Sequence, residues 1–94
     1  MKVYQVMQHE WNSDANMWED TPLDGNAYKS LPWTAALVNR LNRVSLERYD
    51  ATPWHDENTD TFKGDRNDPQ AVADWASGRT NCLTHFTLET LSVL

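Results

Sequence analysis

The chain has a single cysteine, Cys82, so no internal disulfide can brace it. Its three glycines, Gly25, Gly64 and Gly78, stand apart from one another, which excludes a glycine-rich phosphate cradle. Neither GxSxG nor HExxH occurs, so two common hydrolytic signatures are missing. No apolar run approaches the roughly 18 residues of a membrane-spanning helix. The first residues, Met1 to Trp11, lack the apolar core and cleavage site of a signal peptide. Together with the lone thiol, these gaps point to a reducing cytoplasm. The sharpest shortage is of positive charge: from Val3 to Tyr28 there are five acids (Glu10, Asp14, Glu19, Asp20, Asp24) and no Lys or Arg.

Ninety-four residues are expected to form one domain, 1–94. Apolar residues make up 39% of the chain, below the usual share of about 45–50%. Five tryptophans offset that shortfall, because each aromatic buries on the order of 150–250 Å². The net charge is −6 and is unevenly spread. Lys29 to Arg48 is basic, with Lys29, Arg40, Arg43 and Arg48 against Glu47, and Tyr49 to Phe62 is acidic again, with Asp50, Asp56, Glu57 and Asp60. Acidic stretches repel phosphate, so a broad nucleic-acid-binding face is disfavoured.

The pattern predicts an α+β fold in the order ββα-loop-αβ. Lys2 to Trp11 reads as a strand with apolar residues of both parities, which suits a central position. Asn12 to Ala15 reads as a turn, and about Asn16 to Asp20 as a returning strand. Thr21 to Asn26 is a loop fixed by Pro22 and Gly25. A helix follows from Ser30 or Leu31. Trp33, Leu37, Leu41 and Val44, with Val38 alongside, form its expected apolar stripe; Asn39, Arg40, Asn42 and Arg43 form its polar side, and its end is expected between Arg43 and Arg48. About 50–67 reads as a long polar loop. Asp68, Pro69 and Gly78 punctuate a short second helix with Val72, Trp75 and Ala76 on its apolar face. The last strand is expected over about Asn81 to Val93, with both faces covered or a bulge near Glu89. The economical assembly is a three-stranded antiparallel sheet with two helices packed on one face, the terminal strands paired and the opposite face partly open.

Candidate chemistry is thin. Cys82 and His85 are three apart, so on a regular strand they point to opposite faces and cannot share a proton. His55 and Glu57 would lie on one side of an extended segment that also holds Asp56, but one such pair is not a zinc site, which usually takes three or four ligands; His9 and Glu10 could add ligands from the first strand, and a solvated loop is the favoured reading. No catalytic residue, metal or cofactor is expected, and the chain is read as a non-enzyme. Trp33 and Trp75 are assigned to the core. Trp18, beside two acids, and Trp54, in the polar loop, are assigned to an interface, where tryptophan is enriched at hot spots.

These features favour a non-catalytic protein-binding module. Glu10, Asp14, Glu19, Asp20, Asp56, Glu57 and Asp60 would stand in for phosphates, steering the chain to a larger protein or protein–nucleic acid complex with a basic surface. In size and charge, though through no motif, the chain is similar to small phage proteins that block host defence, anti-CRISPR proteins among them, which would act in the cytoplasm of a bacterial or phage-infected cell. The alternative is an assembly subunit that forms a homodimer through an exposed sheet face or edge. A third reading, nucleic-acid binding through Arg40, Arg43 and Arg48, competes with the simpler role of cations near a helix C-terminus.

Overall fold

The computed structural model describes residues 1–25, 27–51, 61–78 and 84–93. The described elements are β1 (Lys2–Asn12), β2 (Met17–Pro22), α1 (Leu31–Asp50), α2 (Pro69–Ala76) and β3 (His85–Ser92). The three strands form one antiparallel sheet in the order β2-β1-β3. This is the expected α+β arrangement, and β1 takes the central place that its two apolar parities require.

A four-residue turn sets the β1–β2 hairpin. The Asn12 side chain accepts the backbone N–H groups of Asp14 and Ala15, at 3.0 and 3.2 Å, and so closes the turn locally. Asn16 adopts φ 53°, in the left-handed region that asparagine tolerates better than most residues. Asn12 then pairs with Met17, and the same register carries Trp11 opposite Trp18, Glu10 opposite Glu19 and His9 opposite Asp20. Beyond β2 the chain stays against β1: the backbones of Tyr4 and Tyr28 exchange two hydrogen bonds of 2.7 Å. On the other side, β3 pairs with β1 without interruption from Lys2–Ser92 to His9–His85. The expected alternative of a bulge near Glu89 is therefore excluded.

α1 begins at Ser30, whose hydroxyl accepts the Trp33 N–H at 3.2 Å, and Pro32 sits in the first turn, where no partner for its nitrogen is needed. The helix runs to Asp50, beyond the expected end between Arg43 and Arg48, because its buried line continues through Leu46 and Tyr49. That line also differs from the expected stripe. Thr34, Val38, Asn42, Leu46 and Tyr49 are buried, while Trp33 is 53% and Val44 40% exposed. Trp33 is therefore not a core residue; it leans on Tyr28 with ring centroids 4.8 Å apart. Leu37 and Leu41 flank the buried line as half-buried residues.

Two polar residues lie on the buried line of the helix. The Thr34 hydroxyl donates to the Ser30 carbonyl at 2.7 Å. Asn42, placed on the polar side by periodicity, is fully buried: its amide donates to the Phe86 carbonyl at 2.9 Å, and its oxygen accepts the Phe86 N–H at 2.8 Å. A buried amide so matched escapes the penalty that normally keeps asparagine outside. It also locks α1 to one register on β3. Val6, Val38 and Phe86 pack around this joint as one apolar cluster. Leu46, Tyr49, Phe62, Val72 and Ala76 make a second cluster, which ties α2 to α1. α2 forms as its punctuation predicts, with the Asp68 side chain accepting the N–H groups of Gln70 and Ala71. Trp75 is half-buried against Tyr49 and Phe62. Of the long segment 50–67, Asp50 belongs to α1, 52–60 lie outside the described residues, and 61–67 are irregular, anchored by buried Phe62 and an Arg66–Asp50 ion pair of 3.0 Å.

Candidate functional site

Strand alternation divides the outer hairpin into two faces. Gln8, Glu10, Glu19 and Asn12 share the face that carries Val6 and Phe86 under α1. His9, Trp11, Trp18, Asp20, His85 and Thr87 share the opposite face. The expected acidic residues are thus distributed over both faces and the tip, with Asp14 in the turn. Glu10, Asp14, Glu19 and Asp20 are all exposed. Asp56, Glu57, Asp60 and Trp54 lie outside the described residues, as do His55 and Cys82.

On the α1 side, Glu10 and Glu19 are directly opposed across β1 and β2. Each is met by an amide: Gln8 donates to Glu10, and Asn12 donates to Glu19 at 2.7 Å. Beside them a cleft of about 320 Å³ opens between sheet and helix, with Gln8 and Glu10 on one wall, Leu41, Val44 and Arg48 on the other and Phe86 at its base. Arg48 thus faces a cleft shared with a carboxylate. Arg43 donates to Asn67 at 2.8 Å, and Arg40 is exposed.

The opposite face holds a constellation that spacing along the chain did not single out. His9 lies between two partners: Nδ1 is 2.6 Å from Asp20 Oδ1 and Nε2 is 2.7 Å from Thr87 Oγ1. An ionised carboxylate can only accept, so Nδ1 carries a proton, and in the neutral ring Nε2 accepts the Thr87 hydroxyl. The His9 ring stacks on His85, centroids 4.8 Å apart and planes 19° apart. Trp18 stands edge-on to both His85, at 5.0 Å, and Trp11, at 5.6 Å. A shallow cavity of about 210 Å³ lies here, lined by His9, Trp18, Asp20, His85 and Ser77, the last from the end of α2.

The hydroxyl–imidazole–carboxylate chain has the order of a nucleophile relay. Thr87 does not line the cavity, however, so a group bound there meets the carboxylate and the rings rather than the hydroxyl. The three members come one from each strand, so the bonds tie the strands together, and Asp20 is held at the cavity wall. Among the described residues no group of three or more His, Cys, Asp or Glu side chains is placed to hold a metal ion, and no helix is long and apolar enough to cross a membrane.

The local part of this site was available from the hairpin register. His-x-Trp on β1 and Trp-x-Asp on β2 match once a four-residue turn is assumed. Thr87 and His85 join only through the β1–β3 pairing, which no local signal encodes.

No known family model, curated protein or solved structure matches the chain.

Proposed function

We propose that this chain is a non-catalytic binding module that docks the outer β1–β2 hairpin on a larger protein with a basic surface. The observation that carries the reading is the Glu10–Glu19 pair. Like charges directly opposed across two strands are unfavourable, yet this pair is exposed, unneutralised by any Lys or Arg from Val3 to Tyr28, and continued by Asp14 at the tip and Asp20 on the other face. A cationic partner would remove that repulsion on binding. On the opposite face, beside Asp20, Trp18 and Trp11 add half-buried aromatic surface, and aromatic residues are enriched in protein interfaces.

The narrower form of the reading is an inhibitor or regulator that occupies a basic channel otherwise used by nucleic acid, as small phage proteins directed against host defence do. The single thiol fits work in a reducing cytoplasm. The test is capture from native host cells, followed by titration of the captured protein at rising ionic strength. Affinity should fall steeply between about 50 and 500 mM salt. Salt-independent affinity would remove the reading, and a stable homodimer at micromolar concentration with no captured partner would replace it with self-assembly.

A further inference from the structure

We propose that the cavity walled by Trp18, Asp20, His9 and His85 receives the guanidinium of an arginine side chain from the partner. This inference rests on the docking reading above and names the group that enters. Three observations converge on it. The volume, about 210 Å³, falls short of the roughly 300 Å³ at which small-molecule sites begin, and it suits the tip of one side chain. The polar group at the wall is a carboxylate whose one hydrogen bond among the described residues comes from His9 Nδ1. The Asp20 side chain is 58% exposed. Apart from Ser77, the other described lining residues are aromatic, with Trp18 edge-on to His85 and His85 stacked on His9. A flat, weakly hydrated cation that stacks on rings and pairs with a carboxylate matches these surfaces better than a compact, strongly hydrated ammonium.

The His9–Thr87 bond gives the site its order. With Nε2 tied to β3 and Nδ1 to β2, the ring and the carboxylate are positioned before any ligand arrives. His9 and Thr87 are positioning residues; Asp20 and Trp18 make the contact.

The experiment uses the intact chain and three uncharged-end probes: Nα-acetyl-argininamide, the lysine equivalent, and the citrulline equivalent, which has the arginine shape without its charge. Titration is followed through the indole N–H resonance of Trp18, with Trp33 and Trp75 as references outside the cavity. The arginine probe should give a saturable shift at Trp18, with Kd on the order of 1–10 mM for one isolated side chain. The lysine probe should bind about tenfold more weakly, the citrulline probe should leave the resonance in place, and Asp20→Asn, which keeps an acceptor for His9, should weaken the arginine probe about tenfold. Equal shifts from arginine and citrulline, equal affinity for lysine, undiminished binding to Asp20→Asn, or no saturable shift with any probe would each overturn the proposal. The probe comparison on the unaltered chain holds even if a variant misfolds. None of these results bears on Glu10 and Glu19, which lie on the other face, so the docking reading stands or falls separately.

Discussion

Asn42 and the Glu10–Glu19 pair lie on the same side of the sheet and handle polarity in opposite ways. Asn42 is wholly buried, and both ends of its amide are matched to the Phe86 backbone. Glu10 and Glu19 are exposed, face one another, and accept hydrogen bonds from neighbouring amides. The α1–β3 seam uses polar groups to hold one packing arrangement; the outer hairpin keeps like charges exposed and opposed. The proposed docking reading therefore assigns stability to the seam and recognition chiefly to the hairpin acids.

The largest effect should come from the seam. Asn42→Ala leaves the Phe86 N–H and carbonyl without partners in the core, and unmatched buried groups cost about 1–3 kcal/mol each. A loss of about 3 kcal/mol in urea unfolding is expected; a loss below about 1 kcal/mol would erase the contrast between the regions. Trp18→Ala should be milder. Trp18 is half-buried and makes two edge-on ring contacts, so about 1 kcal/mol is expected, together with loss of partner capture. A larger stability loss would make Trp18 part of the structural core instead. The smallest effect should have the opposite sign. Glu19→Lys turns a repulsive cross-strand pair into an attractive one and should stabilise the chain by about 0.5 kcal/mol at low salt, with the gain shrinking as salt is added. Destabilisation by that change would mean that the carboxylate supports the hairpin.

The contrast also explains what could be read from the residues alone. α2 was legible end to end, because Asp68, Pro69 and Gly78 act locally and need no knowledge of the rest of the fold. The central place of β1 was legible from apolar residues of both parities. The rotation of α1 was not. Periodicity ranks side chains by polarity, and Thr34 and Asn42 count as surface residues until their partners, Ser30 and Phe86, are in position. The same limit hid the His9 constellation on the other face. Glu10, Glu19, Asp20 and Trp18 could be singled out as charge and aromatic surface, but the role of His9 depends on Thr87, 78 positions away in the chain. The Asn42–Phe86 and His9–Thr87 pairings are non-local, and composition does not carry them.

The separation of docking from folding is tested most directly by the double charge swap Glu10→Lys/Glu19→Lys, with partner affinity and urea unfolding measured on the same preparation at low salt. The expected result is an affinity lower by about tenfold or more alongside unfolding stability within about 1 kcal/mol of the parent chain. Unchanged affinity in a chain that folds as well as the parent would contradict the assignment of the hairpin acids to recognition.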